Sequence, residues 1–323
     1  MKIIEECSVP RVSVIIPAKN EEKYISECIS SLKAQLYPVN EIEIIVVDNN
    51  STDQTASIAE GMGVRVIHTG AERIGKVRNA GVEYSKGDFL FFIDADCVAN
   101  PSWIARCLDL LSEHNEVGAI GGEALVRDQA SKIEKFWVVG DTAKKTTIKY
   151  LNGSSMAFTR EVFLKVGGFK EDINAGEDSF FANSIRSMGL KLIHDSSADV
   201  IHLGYPRTVI DFFKTQFWHS SSYVRSNLGF QEYMFWFTLL SLSATGVMVY
   251  SVVATDITLL AVSTIVFSIG PVLFFLKKLT KTGAKILSYE GLVLFYLCYV
   301  YFFARTLGLI YSFGGNSFYR KKR

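Results

Sequence analysis

The sequence predicts an α/β domain with a mostly parallel sheet flanked by helices, followed by a C-terminal membrane helical region. Three observations point there. Short apolar runs alternate with helical patterns through residues 1–230, as in a parallel sheet covered on both faces. Several of those runs close on acidic residues. From Tyr233 onward, charge vanishes over stretches long enough to cross a bilayer.

Val12 to Ile16 reads as a strand, and Asn20-Glu21-Glu22 opens a helix to about Ala34 with an acidic first turn. IEIIVVDNN, residues 42–50, is a second strand ending at Asp48, and Ser51 is placed to cap the next helix. Residues 64–69 form a third strand, 75–87 a loop and helix, and Asp88 to Asp96 a fourth strand. Ligands of such sheets bind beyond the carboxyl ends of the strands. Here those ends carry Pro17-Ala18-Lys19-Asn20-Glu21, Asp48-Asn49-Asn50 and Asp94-Ala95-Asp96, which would all fall along one edge.

The fourth strand poses a chemical question. FLFFI runs straight into Asp94-Ala95-Asp96. On a continuing strand, positions i and i+2 point to the same side, so the two carboxylates would repel each other. A divalent cation such as Mg²⁺ or Mn²⁺ would neutralise them, with phosphates completing its oxygen shell. The same residues also suit an Asp-rich turn ahead of a helix beginning at Pro101-Ser102. The pattern alone leaves both readings open.

Composition narrows the classes. The chain has 323 residues, 49% hydrophobic and 21% charged, with a formal net charge of +1. No nucleic-acid partner is expected from so balanced a charge. The five cysteines show no C-x-x-C spacing, against a zinc site or disulfide framework and in keeping with a reducing compartment. The short apolar run near the start is broken by Pro17 and does not read as a signal peptide. Neither G-x-G-x-x-G nor G-x-x-x-x-G-K-[ST] follows the first strand, which disfavours a dinucleotide site or an ATPase loop. A nucleotide held partly by carboxylates, with a metal on its phosphates, remains.

Residues 233–254 carry no charge over 22 residues, and after Asp256 another 20 follow. These read as two membrane helices joined near Thr255-Asp256. A third apolar stretch, Ile286 to Phe313, contains Glu290 and Arg305. Lys277, Lys278, Lys281 and Lys285 precede it, and Arg320 to Arg323 follow it. The positive-inside rule wants both clusters in the cytoplasm, and a full third span would separate them. The stretch is left open between spanning, re-entrant and interfacial. Residues 207–225 mix Phe, Trp and Tyr with Arg and Lys, which suits a surface helix on the membrane or one packed on the soluble domain.

VSVIIPAKNEEKYI, IIVVDNNSTDQT, GKVRNAG, FIDADC and GEDSFF occur in the order and spacing of the family 2 glycosyltransferases, and residues 10–225 resemble that family. The resemblance implies a GT-A fold, a Rossmann-like, mostly parallel sheet flanked by helices. It divides the chain into a catalytic domain over 1–205, an interfacial amphipathic segment over 206–230 and a membrane region of two to three apolar helices over 231–323. Pro17, Ala18 and Glu21 would line the nucleotide pocket and Asp48 would meet the base. Arg78 would contact the diphosphate, with Asn79 supporting its loop. Asp94 and Asp96 resemble the D-x-D pair, with Asp96 the more direct ligand of Mg²⁺ or Mn²⁺. Gly153 and Ser154 sit where the family approaches the donor sugar. Glu177 and Asp178 match the family's catalytic acidic pair, and Asp178 would be the general base. His202 is either a third metal ligand or a structural histidine.

The resemblance implies a membrane-anchored inverting enzyme. It would move one sugar from a nucleoside diphosphate sugar, with UDP the expected nucleotide, to a lipid-linked or membrane-associated acceptor. The catalytic domain would face the cytoplasm. The Q-x-x-R-W of processive relatives is missing: Gln216-Phe217-Trp218-His219 stands nearest, which favours single transfer. Cys97 follows the D-x-D where relatives carry an acid or Gln, which leaves the metal geometry open. Two other readings stand beside this one. One is a polyprenyl-phosphate acceptor, for which Arg207, Lys214 and Arg225 are candidate contacts. The other is a non-catalytic scaffold that binds a sugar nucleotide.

Overall fold

The computed structural model describes residues 11–70, 72–137, 147–173, 176–221, 233–282 and 285–313. Arg225 and the basic cluster 320–323 lie outside them, and Lys281 is described in its backbone only. The chain divides into two compact units, Met1–Arg127 with Thr142–Gly204, and Asp128–Asp141 with Tyr205–Arg323. The second unit takes in the segment Asp128–Asp141, which lies inside the stretch 1–205.

The first unit is built on a seven-stranded sheet. Its strands are β1 (Val12–Ala18), β2 (Ile42–Asn49), β3 (Arg65–Thr69), β4 (Phe89–Ile93), β6 (Val117–Gly121), β8 (Ser155–Thr159) and β9 (Lys191–His194). Their order is β3-β2-β1-β4-β8-β6-β9. All neighbours are parallel except that β8 runs antiparallel to both β4 and β6. The sheet is therefore mixed but mostly parallel. A second, three-stranded sheet joins β5 (Cys97–Ala99), β10 (Val200–His202) and β7 (Ala124–Leu125).

Burial follows pattern. β1 is buried at every position, as a central strand covered on both faces requires. Helix α1 (Ile25–Lys33) buries Ile25, Cys28, Ile29 and Leu32, the i, i+3, i+4, i+7 stripe of an amphipathic helix. Helix α4 (Trp103–Glu113) seats Trp103 edge-on against Phe91 of β4, centroids 5.1 Å apart. Helices α2 (Thr55–Gly61), α3 (Ile74–Glu83), α6 (Arg160–Val166) and α7 (Glu177–Ser187) complete the unit.

Two local expectations are corrected. Helix α1 begins at Ile25 rather than Asn20, and α2 at Thr55 rather than Ser51. The two loops bond each other instead. Asn20, left-handed at φ 58°, donates its amide to Ser51 Oγ at 3.0 Å and accepts the Thr52 amide on its Oδ1 at 2.8 Å. Ser51 thus serves a neighbouring loop, not a helix cap. The other correction concerns β4, which stops at Ile93, so Asp94-Ala95-Asp96 is a turn between β4 and β5. The Cys97 amide closes it on the Asp94 carbonyl at 3.0 Å.

The second unit holds α5 (Lys132–Trp137), α8 (Val209–Ser221), α9 (Tyr233–Val253), α10 (Ile257–Thr282) and α11 (Tyr289–Phe313). The last three contain segments long and apolar enough to cross a membrane: Met234–Val253, Ile257–Thr280 and Tyr289–Ser312. The third apolar stretch is one continuous helix. Phe212 of α8 is buried with Leu297, Tyr301 and Phe302 of α11.

Candidate active site

Strand register assembles the site's edge. Ala18 lies beside Asp48, and Asp48 beside His68, across β1, β2 and β3. On the other side of β1, Ile93 at the end of β4 is paired with Ser155, so the Gly153-Ser154 turn leads into β8 next to Asp94. Pro17 and Ala18 are buried beneath this edge.

Asp48 is 4% exposed. Its Oδ2 accepts the Ser51 amide at 3.3 Å and lies 3.4 Å from His68 Nδ1. Its Oδ1 is buried with no hydrogen-bond partner among the described residues. A buried acceptor left open is costly unless a ligand fills it.

The D-x-D carboxylates face different partners. Asp94 accepts from Ser154 Oγ at 2.9 Å and from Arg78 Nη2 at 3.3 Å. Asp96 Oδ2 lies 3.5 Å from His202 Nε2. His202 is brought there by strand pairing, since β10 sets it opposite Cys97 in β5. The Leu203 amide also donates to the Asp96 carbonyl at 2.8 Å. Gly204 follows, and a Cβ there would stand 2.0 Å from Asp96 Oδ2, so only a glycine leaves this carboxylate its place.

Charge is concentrated here. Burial, then the Asp96, Asp94 and Asp53 carboxylates, push Glu21 up to about 8. Burial also raises Asp96, with Asp94 adding to the effect and His202 opposing it. Beneath the turn, burial and the same carboxylates drive the Cys28 and Cys97 thiols far above the ordinary range, so they act as S–H donors. Cys28 Sγ donates to the Asp94 carbonyl at 3.6 Å and Cys97 Sγ to Asp96 Oδ1 at 3.8 Å. Ligand atoms of Asp96, Cys97 and His202 lie within 4.8 Å of one another. Closely set carboxylates beside an imidazole fit a divalent cation.

The other acidic pair is arranged differently. Asp178, in the first turn of α7, accepts the Gly153 amide on Oδ2 at 3.1 Å and the Ser179 amide on Oδ1 at 2.6 Å. Glu177 is buried and paired with Arg78. Arg78 is buried too, and also donates to the Gly153 carbonyl at 3.2 Å. Burial alone would lower the Arg78 pKa, but the Glu177, Asp94 and Asp178 carboxylates outweigh it and raise it. As placed, the Arg78 Nη atoms cross-link Glu177 to Asp94, while its buried Nε has no hydrogen-bond partner among the described residues. Asn79 brackets Phe169, donating to its carbonyl and accepting its amide, both at 2.9 Å.

Sequence reasoning had no view of Cys28 or Gly204. Nothing local marks them, because their roles arise from segments about 66 and 108 positions away packing onto the turn.

The seven-stranded sheet with its small side sheet, and a D-x-D turn beyond one central strand, define a GT-A fold. Residues 13–167 match the family described as Glycosyl transferase family 2, so the first unit carries a family 2 glycosyltransferase domain. Among curated relatives, glycosyltransferase AglE of Haloferax volcanii is 28% identical over 221 residues, covering 65% of this chain and 72% of that one. The glucosyl-dolichyl phosphate glucuronosyltransferase of the same organism is 32% identical over 182 residues, covering 51% of this chain and 57% of the relative. Among solved structures, the mannosyltransferase PcManGT from Pyrobaculum calidifontis, in complex with GDP-Man and Mn²⁺, superposes with a TM-score of 0.62 at 18% identity. It covers 95% of this chain and 88% of that one, a likeness of fold.

Proposed function

We propose that the protein transfers a single sugar, with inversion, from a nucleoside diphosphate sugar to a lipid-linked or membrane-associated acceptor. One observation carries the reading: the two halves of the chemistry meet on adjacent residues. Asp178 takes the Gly153 amide and Asp94 takes the Ser154 hydroxyl. A carboxylate that removes a proton from the acceptor hydroxyl would therefore stand one residue away from the group that supports the leaving diphosphate.

In this reading Asp96 and His202 hold a divalent ion, Mg²⁺ or Mn²⁺, with Asp94 beside it. The ion, when bound, offsets charge on the departing nucleoside diphosphate. Asp178 accepts the acceptor's proton as its oxygen bonds to the anomeric carbon and the bond to the diphosphate breaks. One displacement inverts that carbon. Pro17, Ala18 and Glu21 line the nucleotide pocket, and the open Asp48 Oδ1 suits an N–H of the base. Both uracil and guanine offer one, so UDP is the expected donor nucleotide and GDP its competitor. Gly153 and Ser154 border the sugar. The apolar helices support a cell-membrane location, with the catalytic domain on the cytoplasmic side where nucleotide sugars are made.

The test uses full-length protein in detergent, screened for binding and turnover of UDP- and GDP-sugars with Mn²⁺, Mg²⁺ or EDTA. Asp178→Asn should keep metal-dependent donor binding and lose about 10²–10⁴-fold in transfer. Transfer that survives the substitution would remove Asp178 as the base. It would favour a polyprenyl-phosphate acceptor, whose oxygen needs no deprotonation. Binding with no transfer to any lipid-linked acceptor would leave a scaffold.

A further inference from the structure

At the end of β2, Asp48 lies between Ala18 of β1 and His68 of β3. A carboxylate offers about four lone-pair sites, two on each oxygen. In Asp48 they are used unequally. Oδ2 accepts the Ser51 amide at 3.3 Å and faces His68 Nδ1 at 3.4 Å. Oδ1 has no hydrogen-bond partner among the described residues, although Asp48 is buried. The donors on Oδ2 are themselves held in place. Ser51 Oγ accepts the Asn20 amide at 3.0 Å, and the next amide, that of Thr52, donates to Asn20 Oδ1 at 2.8 Å. His68 stands in register with Asp48, and its Nε2 lies 3.7 Å from Glu60 Oε1. Nδ1 carries the proton in this contact, because an unprotonated ring nitrogen would set one acceptor against another. The strand ends are tied as well. Thr69 Oγ1 donates to the Asp48 carbonyl at 3.2 Å. Asn49 donates to the Glu72 carbonyl at 2.9 Å and accepts the Glu72 amide at 2.8 Å.

Bases differ in what they ask of such a carboxylate. Uracil and thymine present one N–H between two carbonyls, so a single open oxygen satisfies them. Guanine presents its ring N–H and its exocyclic amine side by side. A carboxylate that meets both uses both oxygens, one for each donor. On Asp48 the second oxygen is already engaged. Guanine would have to lean both groups on Oδ1 or bury one of them without a partner, which weakens binding on the order of tenfold. Cytosine and adenine fare worse, since each turns a ring-nitrogen lone pair toward the carboxylate where the N–H is needed.

We propose that His68, together with the Ser51 amide, occupies one oxygen of Asp48 and thereby selects a uridine or thymidine diphosphate against guanosine diphosphate. This rests on the reading, proposed above, that Asp48 meets the base. His68 is then a specificity-determining residue: it decides between bases by what it withholds from them, not by a contact that strengthens every nucleotide alike.

The test is calorimetric binding of UDP, GDP and inosine diphosphate to the full chain in detergent with Mn²⁺. Inosine diphosphate keeps the purine and its ring N–H but lacks the exocyclic amine. UDP should bind about tenfold or more tighter than GDP. Inosine diphosphate should also bind tighter than GDP, although it has one donor fewer. GDP that binds as tightly as UDP, or tighter than inosine diphosphate, overturns the proposal. The His68 ring is exposed, so replacing it leaves the core untouched. His68→Ala opens a lone pair on Oδ2 and should narrow the gap between inosine diphosphate and GDP. His68→Gln keeps an N–H donor and should preserve the gap. A gap unchanged in His68→Ala overturns the role of His68. All these readouts are ratios, which a general loss of folding or affinity does not move. Absence of binding by all three nucleotides would instead remove the nucleotide reading itself, and the proposal with it.

Discussion

Two acidic corners of the first unit, separated by one turn of chain, treat charge in opposite ways. Glu177 and Asp94 are bridged by Arg78, so that corner is largely neutralised by the protein itself. Glu21, Asp94 and Asp96 crowd the other corner, where burial and then neighbouring carboxylate charge raise the proton affinity of Glu21 and Asp96, with His202 opposing the rise at Asp96. Asp94 belongs to both. The difference separates scaffold from site: a buried charge already matched by a partner is architecture, whereas carboxylates held at each other's expense require something from outside.

The largest effect should come from breaking the matched corner. Glu177→Gln removes the nearer partner of buried Arg78 and leaves it only its 3.3 Å contact with Asp94, at a cost of about 3 kcal/mol, the low end for breaking a buried pair. Chemical denaturation with and without the substitution measures it. A loss under 1 kcal/mol would mean that the corner is hydrated rather than matched.

Next, Asp96→Ala should weaken Mn²⁺ binding by more than about 100-fold, the range seen even for residues that merely support a ligand. Electron paramagnetic resonance of free Mn²⁺ reads it directly, while folding should be unaffected. Unchanged Mn²⁺ affinity would send the search for the ligand to another carboxylate.

A third test sharpens the unmatched corner through pH. Glu21 is raised from an ordinary 4.5 to about 8. Between those values the folded chain holds a proton that the unfolded chain has released, so the stability of metal-free protein falls as pH rises through the window. Glu21→Gln should flatten that slope, read as melting temperature against pH in EDTA. A slope that persists in the variant assigns the proton elsewhere.

Much of this arrangement was legible in the chain. Alternation of strands and helices gave the parallel sheet, and the strand ends gave the acidic edge, because both are written in short-range patterns. The partition between the two corners was not. Glu177 and Asp178 are adjacent in sequence and look alike, yet one turns inward to Arg78 and the other toward the Gly153 amide, a choice made by tertiary packing. The D-x-D geometry, open in the sequence between a strand and a turn, is decided the same way: β4 stops at Ile93, and the two carboxylates lie in a turn and face different partners. In the second unit, composition alone made α11 a candidate span.

Gly204 invites a last remark. A hydrogen atom is all that fits between this position and the Asp96 carboxylate, two residues after His202 and at the boundary where the first unit ends. The site thus has a gauge block at its exit. Any mutation that adds even a methyl group there must displace an oxygen of the Asp96 carboxylate. If Asp96 holds the metal as proposed, chains intact in every acidic motif would be silenced by one carbon, and a survey of sequences for lost activity should check this glycine as carefully as the aspartates.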